Sequence, residues 1–330
     1  MKHINIPIFV PHEGCPHDCS FCNQKRITGI TRRESENEIK NRIENIINSV
    51  KDERYIEIAF FGGSFTGIEE ARQKKLLSIA AEYLEKGKIN GIRLSTRPDY
   101  ISAHILNYLE DYGVSDIELG VQSMDDEVLL ANNRGHDAHC VAEASTLIKS
   151  YGAFRLGLQQ MPGLYMSNPE KDIISAKKIA ELKPDNTRIY PTIILENTRL
   201  YDLYIHNEYE PYSLEKAVFV SGEIYKICMQ SGINVIRIGL QSTDIVNEKK
   251  VYGPYHSSFG ELVLSRVLRD EIEVEVEKNR RNFTVFAPRN MISKVTGNKK
   301  SNILYFKEKY AIKMKVCEDN KLCNFFVTFD

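Results

Sequence analysis

The sequence predicts an α/β protein: a parallel barrel or doubly wound sheet over residues 1–235, then a small β-rich unit over residues 236–330. Three observations carry this. Strand-like and helix-like stretches alternate six times with short connections, which calls for parallel strands joined by right-handed crossovers. The cysteines, glycines and polar clusters fall at the C-terminal ends of those strands, where such folds place their ligands. Past residue 236 the alternation gives way to closely spaced strand-like runs.

In order, residues 4–10 are apolar and β-prone, and they lead into a cysteine-rich loop. They read as a first strand rather than a signal peptide. Ile39, Ile43, Ile46, Ile47 and Val50 recur at helical spacing over 34–50. Residues 55–61 form a second strand that ends in Gly62-Gly63-Ser64-Phe65-Thr66-Gly67, and 69–86 return to a helix through Leu76, Leu77, Ala80 and Leu84. A third strand, 91–96, stops at Arg97-Pro98-Asp99 and is followed by a helix near 102–112. The fourth strand, 114–121, ends at Gln122-Ser123, with helices near 125–131 and 137–151. The fifth, 153–160, ends at Met161-Pro162-Gly163. Helix 168–182, a sixth strand at 186–195 and helices 198–206 and 214–231 close this part. Beyond it, strands are expected at 234–240, 272–277, 282–286, 303–306, 311–316 and 324–329, with a helix at 260–269. The run Ile272-Glu273-Val274-Glu275-Val276-Glu277 alternates strictly, the pattern of a half-buried strand.

The 330 residues suffice for one large domain with a small appendage. At 42% hydrophobic and 27% charged, the composition is that of a soluble globular protein, and no apolar run is long enough to span a membrane. Seven cysteines, three of them clustered, argue against a disulfide framework and fit a reducing cytoplasm. A net charge of −1 excludes electrostatic nucleic-acid binding by the chain as a whole. Residues 236–330, however, hold 17 Lys+Arg against 12 Asp+Glu, while 1–235 hold 27 against 33. A basic appendage on an acidic body permits contact with a polyanion.

Within residues 11–29, Cys15, Cys19 and Cys22 are spaced Cys-x3-Cys-x2-Cys, so three thiolates can converge on one metal centre. Gly14 lets the backbone turn and Pro16 restricts it between the first two ligands. Thiolates suit iron–sulfur clusters, zinc and copper(I). A fully ligated four-iron cluster takes four cysteines, so three leave one iron open to a small molecule. The alternative is a zinc knot completed by His17 or His12. Structural zinc sites usually come as two separated ligand pairs, and Cys140, Cys228, Cys317 and Cys323 lie too far off to form the second. Cys140 and Cys228 read as apolar thiols on helices, and Cys317 and Cys323 flank a turn without evident partner ligands.

Five further motifs accompany the cysteine loop: Phe61-Gly62-Gly63-Ser64-Phe65-Thr66, Ser95-Thr96-Arg97-Pro98-Asp99-Tyr100, Glu118-Leu119-Gly120-Val121-Gln122-Ser123, Asn133-Arg134-Gly135-His136, and Tyr190-Pro191-Thr192 with Leu200-Tyr201. Together they resemble the radical S-adenosylmethionine (SAM) enzymes. In order and spacing, from about residue 5 to 235, they are similar to the radical SAM half of the catalytic subunit of Elongator, a tRNA-modifying enzyme. The likeness extends more weakly to oxygen-independent coproporphyrinogen oxidases.

The resemblance implies a partial (β/α)6 parallel barrel of radical SAM type with a small β-rich C-terminal domain. It implies a [4Fe-4S] cluster on Cys15, Cys19 and Cys22, whose open iron binds SAM and whose electron breaks a carbon–sulfur bond to give a 5′-deoxyadenosyl radical. Carried over residue by residue, Phe21 lies beside the adenine, and Gly62, Gly63 and Ser64 offer backbone to the methionine end. Gln122 and Ser123 face SAM, Arg134 pairs with its carboxylate, and Gln159 or Gln160 approaches the ribose or the substrate. Taken singly, Gly62-Gly63 is equally a plain turn, Arg134 a surface arginine, Ser123 a helix cap and Tyr190-Pro191 core and turn. Asp99, Glu118, His136 and His256 are candidate acids or bases without an assigned role.

Two departures stand out. Ser95 occupies a position where many relatives carry glutamate. Residues 236–330 are too short for Elongator's acetyltransferase domain, so acetyl transfer would need a separate protein. Gly253-Pro254-Tyr255-His256 and Phe259-Gly260-Glu261 look instead like the small C-terminal domain of short relatives. The expected function is modification of a tRNA base in the cytoplasm, with flavodoxin or ferredoxin as electron donor and no membrane partner. The alternatives are radical chemistry on a small metabolite or porphyrin, and a non-catalytic RNA-binding protein holding zinc.

Overall fold

Alternating apolar residues set the main sheet. Ile6, Ile8 and Val10 of β1 (His3–Val10), Ile58 and Phe60 of β2 (Tyr55–Gly62), and Ile92 and Leu94 of β3 (Gly91–Thr96) are buried. So are Ile117 and Leu119 of β4 (Asp116–Gln122) and Leu156 and Leu158 of β5 (Arg155–Gln160). A strand's side-chain period is two, so these residues share one face. That face packs on α1 (Glu36–Ser49), α2 (Glu70–Glu85), α3 (Ala103–Asp111) and, after the short α4 (Asp126–Ala131), on α5 (Ala138–Tyr151), in one continuous core. The computed structural model describes residues 3–10, 15, 19–22, 34–51, 54–240 and 251–330. His12, Gly14, Pro16 and His17 lie outside the described residues.

Helix ends follow local chemistry. Ser35 and Glu38 form a reciprocal capping box at α1, and Ser102, Asp125 and Asp137 accept backbone N–H groups at α3, α4 and α5.

With β6 (Asn186–Ile189) and β8 (Asn234–Ile238), the sheet has seven parallel strands in the order β1-β2-β3-β4-β5-β6-β8, curled into a half-barrel with its helices outside. The expected sixth strand ends early: β6 (Asn186–Ile189) stops before Tyr190-Pro191, where proline removes a donor. The continuation, β7 (Ile194–Leu195), pairs antiparallel with β9 (Val251–Tyr252) instead. Helices α6 (Pro169–Glu181), α7 (Arg199–Ile205) and α8 (Leu214–Gln230) complete this part.

The C-terminal readings need three corrections. β8 (Asn234–Ile238), expected in the small unit, is the seventh strand of the main sheet and straddles residues 235 and 236. The alternating run 272–277 is helix: α9 spans Phe259–Asn279. The physical reason is that every second residue also gives i, i+4 pairs. Ile272 and Val276 share a buried face, while Val274 turns to solvent at 53% exposure. The strand expected at 303–306 lies inside α11 (Ser301–Tyr310), which follows the short α10 (Ile292–Thr296). The remaining strands, β10 (Phe283–Ala287), β11 (Met314–Glu318) and β12 (Phe326–Phe329), form a sheet with β10 in the middle. Phe259 and Val263 of α9 join the core around α8, and Ile272 and Val276 join the core under this second sheet. One helix therefore belongs to both cores.

The concave face of the half-barrel is polar. Glu57, Arg93, Asp116, Glu118 and Arg188 alternate with the apolar set and are all buried. Arg93 donates to Glu57 (3.1 Å) and Asp116 (2.7 Å), and Arg155 bridges the same two carboxylates. Glu118 accepts from Arg188 Nε at 2.6 Å, reaching from β4 past β5 to β6. Gly157 stands opposite Glu118, and a Cβ there would lie 3.3 Å from Glu118 Cγ. A glycine is what leaves that crossing open.

Candidate active site

Cys15 and Cys19 lie among the strand ends: Cys15 beside Ser64 after β2 and Arg97 after β3, and Cys19 against Arg134, which reaches Gly120 of β4. Gly62 closes β2 at φ +111°, a conformation reserved for glycine, and a Cβ there would lie 3.3 Å from three backbone atoms of Val10. The Gly63 N–H donates to the Val10 carbonyl at 2.8 Å, which aims the next peptide at the loop, and the Ser64 N–H reaches the Cys15 sulfur. Gly62→Ala is expected to destabilise the fold by about 1–3 kcal/mol, the usual cost of such strain; urea denaturation checks it.

Ser64 itself is buried, with Oγ 2.8 Å from Thr96 Oγ1 and accepting from the Arg97 N–H at 3.2 Å. Arg97 makes a bidentate pair with Asp99 (2.9 and 2.8 Å) and also donates to the Arg134 carbonyl. This chain of contacts ties the second and third strand ends to the segment after α4.

Arg134 is the hub. Asn133, at φ +53°, turns the chain out of α4, and the Arg134 N–H caps that helix on Leu129. Its guanidinium is buried, with Nη1 3.1 Å from Cys19 Sγ and Nη2 donating to the Gly120 carbonyl and to His136 Nε2 (3.3 Å). The Phe21 ring lies below it, 5.9 Å from ring centre to guanidinium carbon. Among the described residues its Nε–H has no partner. Burial, and then the neighbouring Arg134 charge, push His136 down to about 4, so the imidazole is neutral near pH 7 and accepts from Arg134.

The three cysteines differ. Cys15 is exposed, and Cys19 and Cys22 are half-buried, with the Cys22 N–H on the Cys19 carbonyl at 3.0 Å. Solvent reaches Cys15, yet desolvation at the strand ends raises its thiol, and neighbouring Cys19 raises it further; Arg97, the Ser64 amide and Arg134 oppose the rise. Among the described residues no three His, Cys, Asp or Glu side chains are gathered closely enough to hold a metal ion.

Gln122 sits at a bulge with φ +70°, and its Oε1 accepts from Gln159 Nε2 at 3.1 Å on the concave side. Gln160 points the other way, its amide on the Asp172 carbonyl at 2.7 Å. Of the two glutamines expected here, only Gln159 joins the strand-end group. Ser123 is buried and faces α6: its Oγ is 3.2 Å from Ser175 Oγ and accepts from the Asp125 N–H.

In donor chemistry, though not yet in a gathered ligand set, these residues fit a thiolate-held cluster with a carboxylate-bearing cofactor. Two thiols share a site with two guanidiniums, one buried donor lacks a partner, and the glycine turn brings bare backbone alongside. A profile of the radical SAM superfamily matches residues 9–176, about half of the chain. The protein belongs to the radical SAM superfamily. The family's C-terminal domain profile matches residues 184–269 of this radical SAM chain. It is 32% identical over 244 residues to the tRNA uridine(34) acetyltransferase of Methanocaldococcus jannaschii, covering 68% of this chain and 44% of that protein. Elongator complex protein 3 of Homo sapiens is 32% identical over 193 residues, covering 57% of this chain and 34% of that protein. Among solved structures, the archaeal Elp3 of Methanocaldococcus infernus with its N-terminus deleted matches with a TM-score of 0.63 at 25% identity, covering 84% of this chain and 63% of that one. The radical SAM chain therefore spans less than half the length of the curated relatives it matches. No helix among the described residues is long and apolar enough to cross a membrane.

Sequence reading missed several residues of the site's surroundings. Arg93, Asp116, Arg155 and Arg188 were passed over, although single charges at alternate positions of apolar strands were the signal. Cys228 is buried and Cys140 half-buried, each thiol pushed up to about 11 by burial, and Cys317 and Cys323 are exposed.

Asp172 was also missed. It is buried beyond β5 and accepts from Ser167 Oγ (2.6 Å), the Gly163 N–H (2.9 Å) and Tyr212 OH (2.8 Å). Burial lifts it to about 6, against the pull of those hydrogen bonds. A carboxyl raised in the folded state favours folding below its unfolded value, near 4, and that contribution is lost as pH rises through about 6. Asp172→Asn keeps the shape and is expected to flatten the stability profile between pH 4 and 7 by roughly 2–3 kcal/mol. Denaturation midpoints across that range check it.

Proposed function

We propose that this chain is an enzyme that holds a [4Fe-4S] cluster on Cys15, Cys19 and Cys22, binds SAM beside it, and modifies a tRNA base. The observation that carries the proposal is Arg134: a buried arginine that touches Cys19, lies over Phe21 and keeps one N–H without a partner among the described residues. When bound, the cluster and SAM supply one-electron reductive cleavage and hydrogen-atom abstraction.

The chain's own residues do the rest. The three thiolates anchor the cluster and leave one iron for the cofactor. The free Nε–H of Arg134 suits a carboxylate, and the Gly62-Gly63-Ser64 turn offers backbone where a side chain would block approach. Phe21 gives the adenine an apolar face. The Gln122–Gln159 amide pair supplies donors and acceptors for a ribose or a base. Arg188, held between Glu118 and Tyr190 OH (3.0 Å), forms a polar floor on the concave face. Flavodoxin or ferredoxin serves as electron donor.

RNA is favoured as substrate by the name of one relative, a tRNA uridine(34) acetyltransferase, and by the excess of Lys and Arg in residues 236–330. Mass spectrometry of tRNA nucleosides from cells with and without the gene tests this. A nucleoside that disappears with the gene supports it; an unchanged nucleoside profile contradicts RNA as the substrate.

A further inference from the structure

Ser20 lies between two of the cysteines, and the reading above gives it no role. Yet it is 0% exposed. All its polar groups are engaged: the N–H donates to the Asn132 carbonyl (3.1 Å), the carbonyl accepts from the Leu200 N–H (2.7 Å), and the hydroxyl donates to Asn132 Oδ1 (2.5 Å). Asn132 is equally enclosed at 0%, and its Nδ2 donates to the carbonyls of Val128 (2.8 Å) and Tyr165 (2.9 Å). The end of α4, the segment after β5 and the start of α7 thus close on one residue of the cysteine loop. Two residues beyond Asn132, the same turn carries Arg134, whose Nη1 meets Cys19 Sγ.

Alanine would occupy nearly the same space as Ser20. The hydroxyl adds only the tie to Asn132, and without it Asn132 Oδ1 would be buried unpaired. A fully satisfied buried network of this kind fixes a conformation rather than merely filling a core.

We propose that Ser20 and Asn132 are positioning residues that anchor the Cys19–Cys22 part of the loop to the end of α4 and the start of α7 before metal arrives, and keep Cys19 in register with Arg134. This rests on the reading of the loop as a cluster site. Ligands ordered in advance need not be ordered at binding, and partners behind the ligands typically change metal affinity about 10–100-fold. Hydrogen bonds to cluster sulfur also set reduction potential, so a displaced Cys19 shifts it.

The test uses the full-length chain as wild type, Ser20→Ala and Asn132→Ala. In metal-free protein, hydrogen exchange of the amides of Ser20 and Leu200 is expected to be slow in wild type and fast in both variants, with melting in Ser20→Ala lowered by no more than the few degrees that one buried unpaired acceptor costs. After anaerobic iron and sulfide loading, both variants are expected to lose iron to a chelator about 10–100-fold faster. Their midpoint potential, from an EPR-monitored titration, is expected to fall as the N–H contact to sulfur weakens. Wild-type exchange, iron loss and potential in both variants would overturn the proposal. So would a lower melting temperature with unchanged iron loss and potential, which would make the pair ordinary core. Should one variant fail to fold, the other decides. A wild-type protein that takes up no iron would refute the cluster reading, whereas the exchange measurement on metal-free protein reports on the loop alone.

Discussion

Cys22→Ala is expected to abolish iron loading while leaving the fold intact. Two thiolates cannot anchor a four-iron cluster in the way three can, so the characteristic absorbance and any SAM cleavage should vanish together. The fold should survive because Cys22 is only half-buried and the N–H it places on the Cys19 carbonyl belongs to the backbone and is kept in alanine. Loss of stability should stay within about 1 kcal/mol, as for substitutions away from the core. Iron content, absorbance and a thermal melt on one preparation check both halves. A variant with normal iron and SAM cleavage would remove Cys22 from the ligand set.

The second large effect is expected far from the chemistry, at the opposite end of the strands. Arg93→Ala removes the cation between Glu57 and Asp116, all three buried. Breaking a buried pair from one side costs about 3–5 kcal/mol, because the carboxylates stay buried with less compensation. Arg155 bridges the same two carboxylates at 3.1 and 2.7 Å, and His3 reaches Glu57 at 2.8 Å, so the loss should fall at the lower end of that range. The midpoint of urea denaturation measures it. A loss below about 1 kcal/mol would mean the concave charge lattice is dispensable and the sheet is held by its outer core alone.

The parallel sheet was legible because each of its strands carries its own signal: a β-branched apolar run closed by a glycine, proline or polar cluster. Gly62 marked a strand end for the same reason that it resists replacement, a positive φ pressed against Val10. What failed was whatever depends on partners distant in sequence. Residues 234–238 do form a strand, but nothing local says that Asn234 pairs with Asn186 in the main sheet. Ile272 and Val276 satisfy both a period of two and an i, i+4 helical pair, and the helix wins because it connects two cores.

The site divides along the same line. The cysteines, the glycine turn and Arg134 stood out through spacing and motif. Register decided between Gln159 and Gln160, placing the first beside Gln122 and the second against Asp172. The pairing of Ser20 with Asn132 left no trace in the sequence, since 112 positions separate its members and the cysteine spacing around Ser20 says nothing of a partner so distant. The charges of the concave face did leave one, single ionisable residues at alternate positions of apolar strands, and it becomes readable once the sheet is known to curl into a half-barrel.

The most direct test of the account is anaerobic reconstitution with iron and sulfide, followed by reduction in the presence of SAM. The account predicts a brown protein with iron–sulfur absorbance and the release of 5′-deoxyadenosine. A colourless protein that binds zinc and yields no 5′-deoxyadenosine would contradict it.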